Sequence, residues 1–205
     1  MERKKETNQR ILNAALKEFS TYGFSGARME RIAKSAKINK AMIFYYFSSK
    51  ENLYETVFRR VFIGTYPKMS ELFSSHPTAE VFLEKAAEIY VDVFVQNPDF
   101  VKMIALELIR NPDTVTSMVK EFFEEGVKSP TPNHIQQMIE EWYRQGHISE
   151  EDSFQFMLNI ISLSLLSFIG KPFLEALFQQ TVPHEDFAKK RLKSVVNLLK
   201  RGMLS

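Results

Sequence analysis

The sequence predicts an all-α protein, a small three-helix unit followed by a larger helical bundle. Three observations carry that expectation. Glycine and proline are scarce, 7 and 8 among 205 residues, which suits helices with short connections better than a sheet that needs many turns. Apolar residues recur at helical spacing along the first fifty residues, in three short segments. The apolar run NKAMIFYYF at residues 39–47 lacks the alternation of a strand, and a lone strand there would have no partner among helices. A hydrophobic content of 44% with 13% aromatics is ample for a core in a chain of this length.

The first helix is expected over residues 7–21, where Ile11, Leu12, Ala15, Leu16 and Phe19 share one face. Tyr22-Gly23 ends it, since glycine adopts the left-handed cap conformation easily. Met29, Ile32, Ala33 and Ala36 mark a second, shorter helix. Only Lys37-Ile38-Asn39 separate it from a third, which gives a helix-turn-helix arrangement. Asn39 can cap the third helix, and Ser48 with Glu51 has capping-box spacing for the next. From Glu51 the pattern stays helical to the end. Breaks are expected at Ser75-His76-Pro77, Asn97-Pro98, Asn111-Pro112, Ser129-Pro130-Thr131-Pro132, Gly146-His147 and Val182-Pro183-His184, and Pro67 is expected to kink a helix. Residues 154–170 are the most apolar stretch. Five polar residues interrupt it and it is too short to span a bilayer confidently, so it reads as a packed helix and no membrane partner is expected.

In a third helix begun at Asn39, Ile43 and Phe47 fall four apart and face Phe19, Ile32 and Ala36. Lys40, Ala41, Met42, Phe44 and Tyr45 are left facing outward, with Tyr46 at the boundary. An exposed apolar patch of this kind marks an interaction surface. Lys37, Arg28, Lys40 and Lys50 surround it. Residues 1–60 carry 13 Lys and Arg against 6 acidic residues, a net +7, while the rest of the chain is −5. The pairing of aromatics with cations suits double-stranded DNA, read in the major groove. The alternatives are a solvated basic face, aromatics lying under the following domain, or a patch that binds a protein partner.

Residues 10–55, with IAKSAKINKAMIFYYFSSKENLYETVF at their heart, resemble the DNA-binding domain of the TetR/AcrR family of transcriptional regulators. Ile32-Ala33, Ile38, Lys40, Ile43, Tyr46-Phe47 and Ser49-Lys50-Glu51 fit the family pattern in spacing and type. The resemblance implies a DNA-binding domain at residues 1–50 and an effector-binding and dimerisation domain at 51–205. It further implies that Lys40, Ala41, Met42, Phe44 and Tyr45 face bases while Tyr46 and Lys50 meet the backbone. Arg28 stands where the family has a threonine at the start of the second helix, so an ionic contact to phosphate would replace a hydroxyl one. Lys37 replaces a turn glycine and would take a left-handed conformation at a cost of about 1 kcal/mol. Met42 and Phe44 replace two hydroxyl residues and make this reading surface more apolar than its relatives. The basic Arg3-Lys4-Lys5 segment is expected to be a solvated tail, with reach into a neighbouring groove as the alternative.

The family dimerises through its last two long helices, which here would be roughly 152–178 and 185–202. Leu158, Ile161, Leu165, Phe168 and Ile169 on the first, with Leu192, Val195, Val196 and Leu199 on the second, supply the stripes. The resemblance also implies a cage within residues 56–150 for a small-molecule effector. Phe62, Tyr66, Tyr90, Phe94, Met103, Phe122, Trp142 and Tyr143 are candidate lining residues, with plain core as the default for each. Glu107 and Asn159, polar within apolar runs, would need a partner if buried, whether a ligand or a neighbouring helix. The aromatic set suits a mainly hydrophobic effector. The expected whole is a homodimeric repressor on a palindromic operator.

An enzyme is not expected. His76, His134, His147 and His184 fall at or near predicted helix ends without metal-ligand spacing. Phosphate-cradling glycine loops are missing, and Glu140-Glu141 and Glu150-Glu151-Asp152 read as solvated faces. No cofactor or metal is expected. The absence of cysteine removes disulfides and thiolate chemistry and, with an N-terminus lacking an apolar segment, suits a cytoplasmic protein.

Overall fold

A computed structural model describes residues 2–124, 131–149 and 152–205, the side chains of residues 2, 3, 62, 63 and 65 excepted. Ten helices lie among the described residues: α1 (Glu2–Gly26), α2 (Met29–Ser35), α3 (Lys40–Phe47), α4 (Lys50–Ser74), α5 (Ala79–Gln96), α6 (Pro98–Arg110), α7 (Pro112–Glu124), α8 (Pro132–Arg144), α9 (Ser153–Leu177) and α10 (His184–Met203). They form two compact units. One takes in the chain up to Gly64 together with Asn97–Phe122, the other Thr65–Gln96 with Phe123–Ser205. This differs from a division after residue 50. The first half of α4 and the α6–α7 pair belong with the three N-terminal helices because α6 packs chiefly on α1.

In the first unit, Ile11, Ala15 and Phe19 of α1 are buried with Ile32, Ile43, Leu53, Val57 and Phe58. The Phe19 and Phe24 rings meet Tyr54 edge-on at 4.8 and 5.2 Å, and Phe58 meets Phe100 of α6 at 5.9 Å. α1 begins at Glu2, five residues before the expected start, and includes Lys4 and Lys5. Its break falls at the expected glycine: Gly23 has φ 68°. Here the requirement for glycine is steric as well, because a Cβ would meet the Arg110 guanidinium at 3.0 Å.

In the second unit, the rings of Phe73, Phe82, Trp142 and Phe156 meet edge-on or tilted at 5.2–6.3 Å among Leu83, Ile139, Ile160, Val195, Leu199 and Met203. Lys200 of α10 pairs with Glu80 at 2.7 Å and with Glu84, both on α5. An isolated bridge, Ile148 to Leu204, ties down the chain end. Pro67 lies inside α4 and Pro172 inside α9 without ending either helix.

Two expectations about the last helices are corrected. Val195 and Leu199 are 0 and 2% exposed within the chain's own core, so neither offers surface to a second copy. Phe168 is half-buried and packs internally, its ring 6.1 Å from Phe94 and 5.5 Å from Phe187. Leu192 and Val196 are partly buried against the same core. The exposed apolar surface lies mainly on α9, where Leu158, Leu166, Ile169 and Phe173 are open and Ile161 and Leu165 half-open, while α10 adds the open Leu198. α9 also runs on past residue 170 to Leu177. Its most apolar window has a mean hydropathy of 1.6 with 17% of it buried, so length alone does not exclude a membrane span. The opposite face of α9, with Phe156, Ile160 and Ser164, is turned into the core.

Candidate nucleic-acid interface

The third helix is set by local chemistry. The Asn39 side chain accepts a hydrogen bond from the Met42 amide at 2.8 Å and so caps α3. Lys37 in the preceding turn has φ 54°, the left-handed conformation expected of a turn that lacks its glycine. Arg10 of α1 braces that turn by donating to the carbonyls of Ala36 and, at 3.2 Å, of Lys37. At the other end Ser48 takes φ 62° and turns the chain sharply. The cap of α4 therefore falls one residue later than expected: the Ser49 hydroxyl accepts from the Asn52 amide at 3.1 Å. A backbone hydrogen bond, and then one with the Ser49 side chain, holds the Glu51 carboxyl below its ordinary pKa.

Ile43 and Phe47 are 0 and 4% exposed, whereas Phe44 and Tyr45 are 40 and 72% exposed. Lys40 and Ala41 are also open, and Met42, Tyr46 and Lys50 are half-open. The Tyr45 and Tyr46 rings meet edge-on at 5.5 Å. Lys4, expected in a solvated tail, sits in α1 with its ammonium 5.8 Å from the Tyr45 ring. The side chain of Arg3 lies outside the described residues.

The cations are less free than the sequence suggests. Lys40 pairs with Glu30 of α2 at 2.5 Å and also lies 5.7 Å from the Phe44 ring. The hydrogen bond from Lys40 holds the Glu30 carboxyl below the ordinary carboxylate range. Lys50, the first residue of α4, rests over the Phe24 ring at 4.7 Å. Arg28 is exposed. Its amide donates to the buried Glu18 carboxylate at 2.9 Å, which also takes Arg31 Nε at 2.7 Å. Glu18 thus fixes the start of α2, a role that no sequence signal marked.

The candidate effector residues are divided between the units. Met103, Glu107 and Phe122 are buried in the first. Glu107 is fully buried, and its partners are protein groups: the Phe24 amide at 3.2 Å and the Asn111 side-chain amide at 3.0 Å. Burial, with the Glu107 carboxylate nearby, pushes the Tyr54 phenol far above its usual pKa, although the hydroxyl makes no hydrogen bond of ordinary geometry. Glu107 is therefore a clasp between α6 and the break in α1. Trp142 is core in the second unit. Tyr66 packs edge-on to Phe123 at 6.5 Å, Tyr90 stacks on Phe94 at 6.1 Å, and Asn159 is half-buried on α9. The Phe62 side chain lies outside the described residues, as do Ser129, Pro130, Glu150 and Glu151.

Comparison with known proteins agrees with this arrangement. Residues 11–57 match the bacterial regulatory proteins of the tetR family, and residues 80–199 match the tetracyclin repressor-like C-terminal domain. The transcriptional repressor NicS of Pseudomonas putida is 37% identical over 101 residues, a match spanning 49% of this chain and about half (48%) of NicS. The transcriptional regulator RutR of Escherichia coli is 26% identical over 201 residues, 94% of this chain and 88% of RutR. The structure of FadR from Bacillus subtilis with stearoyl-CoA superposes with a TM-score of 0.67 at 18% identity, covering 93% of this chain and 96% of that one. The chain belongs to the tetR family of bacterial regulatory proteins and is an all-α transcriptional regulator rather than an enzyme.

Proposed function

We propose that this regulator is a repressor that binds a palindromic operator as a homodimer and lets go when a mainly hydrophobic effector binds its C-terminal part. The observation that carries the reading is α3. It is an N-capped helix on a braced turn, held by Ile43 and Phe47, with Lys40, Ala41, Met42, Phe44 and Tyr45 presented outward. In the bound state these residues meet base edges, and Tyr46, Lys50 and Arg28 meet phosphates. One short helix reads only a few base pairs, so two copies about 34 Å apart are needed for specificity. The α9 stripe of Leu158, Ile161, Leu165, Leu166 and Ile169 supports pairing of two copies, since exposed apolar rows of this extent are costly in water. FadR, alike in fold, is seen with stearoyl-CoA, which supports an effector with a long apolar part.

Selection of bound sequences from random duplex DNA tests the reading, with sequencing of the enriched pool. Inverted repeats whose half-sites lie one helical turn apart are expected, together with loss of binding on adding an apolar metabolite fraction. Absence of inverted repeats would overturn it. So would binding that is insensitive to salt, because phosphate contact requires affinity to fall by about 0.9 log unit per log unit of salt for each contact. Light scattering without detergent should give a dimer mass. Recovery only in detergent micelles would favour a membrane as the cover for α9.

A further inference from the structure

Where α9 ends and α10 begins, the second unit holds a groove of about 390 Å³, with Lys171, Leu174 and Glu175 on one side and Phe187, Lys190 and Arg191 on the other. Its volume is at the lower end of small-molecule sites, about 300–1,000 Å³. Its walls are mainly apolar, and its charges are unbalanced. Glu175 is already engaged, accepting from Lys171 at 2.6 Å and from the Val182 amide at 2.7 Å. Arg191 donates through Nη2 to the Leu163 carbonyl at 2.9 Å, while its Nε is buried with no acceptor. Burial lowers its pKa, and no carboxylate offsets that. Lys190, exposed, also lacks an acidic partner among the described residues. The groove therefore carries two basic side chains with no acidic partner among the described residues, and an anion entering it would meet the exposed Lys190 ammonium beside the Arg191 guanidinium.

We infer that this groove binds a small amphiphilic anion, one carboxylate or phosphate head on a short apolar chain, with the head at Arg191 and Lys190 and the chain against Leu174 and Phe187. The α9 side of the groove continues the row Phe156, Ile160, Ser164, Lys171, Glu175, at the helical spacing that faces the chain's own core. On α9 the groove wall therefore lies off the Leu158–Ile169 stripe. Phe187 also begins a ladder of rings, to Phe168 at 5.5 Å, on to Phe94 at 6.1 Å and Tyr90 at 6.1 Å. Two of the candidate effector residues are thus reached from the groove, and α5, which carries them, runs on through Gln96 into Asn97 of the first unit. This site rests on the effector part of the reading above and gives that effector a charge.

Titration calorimetry on the full chain tests it with octanoate, octyl phosphate and neutral 1-octanol. One anion per chain is expected, with the preferred head bound about tenfold or more tighter than the alcohol, the scale of one charged hydrogen bond. Lys190→Gln, at an exposed position, and Arg191→Gln should each weaken the anion and leave the alcohol unchanged. The carboxylate and phosphate arms identify the head. Equal affinity for anion and alcohol, or anion binding untouched in the folded Lys190→Gln and Arg191→Gln proteins, would overturn the site. Operator binding is measured in parallel. Specific anion binding that leaves DNA affinity unchanged upholds the groove and removes it from effector control.

Discussion

Lys37, Lys40 and Glu107 illustrate how far single positions could be read. The left-handed Lys37 was legible because only a turn joins two helices there and the position calls for glycine. Lys40 was legible as an outward cation, yet its pairing with Glu30 was not, since ten residues and a turn separate them. Glu30→Gln should therefore free the Lys40 ammonium for phosphate. Binding to non-specific duplex should tighten, and the salt dependence should steepen by about 0.9 log unit per log unit, for one added contact. Tyr45→Ala should weaken operator binding by about 1–3 kcal/mol, the range of a good base contact. An unchanged circular-dichroism melt would confirm that the loss is one of recognition. Glu107, polar within an apolar run, calls for a partner when buried, whether a ligand or a neighbouring helix. Its acceptors serve the Phe24 and Asn111 amides, which lie 83 and 4 residues away, and only the first contact needs the fold to exist. Glu107→Ala should cost about 1–3 kcal/mol in denaturant unfolding, the penalty for unmet buried donors.

Helices were found wherever periodicity and proline placed them, but periodicity says which residues share a face and not what covers that face. On α10 the repeat of Val195 and Leu199 is as regular as any interface stripe, and it is covered by α5 and α9 of the same chain. On α9 the apolar residues nearly surround the helix, so the expected stripe joined the open Leu158 and half-open Ile161 and Leu165 to the internally packed Phe168. The two cases separate by experiment. Leu199→Ala should lower stability by about 2–5 kcal/mol, as large-to-small changes in cores do, with the protein still paired at concentrations where it folds. Ile169→Glu should leave the melting temperature of the single chain nearly unchanged and shift its mass toward a monomer in light scattering. A dimer that survives Ile169→Glu would move the interface elsewhere. The one-residue error at the start of α4 has a similar origin. Ser48 and Ser49 are both capping residues, and only the left-handed φ of Ser48 decides between them.

For the whole molecule, sequence boundaries and compact units are not the same thing. The family resemblance places a cut after residue 50, just inside its last motif, Ser49-Lys50-Glu51. Packing does not respect it, because Phe100, Val101 and Met103 of α6 are buried together with the residues of α1 and α4. A fragment ending at residue 64 should therefore expose Phe19, Tyr54 and Phe58. It is expected to show broad, low-temperature unfolding and fast amide exchange in α1, whereas the full chain protects that helix. Sharp, cooperative melting of the fragment would refute this.

The discontinuity of that first unit bears on how such regulators can be recombined. A head that closes on itself could be exchanged between proteins by joining two chains at one point. Here the head is completed by a segment that returns after an excursion of more than thirty residues, anchored by Glu107 at the break in α1. A working hybrid must therefore inherit α6 and α7 along with α1 to α3, two grafts rather than one. Exchange of ligand specificity between relatives then falls to the pieces outside those grafts, Thr65–Gln96 and Phe123–Ser205.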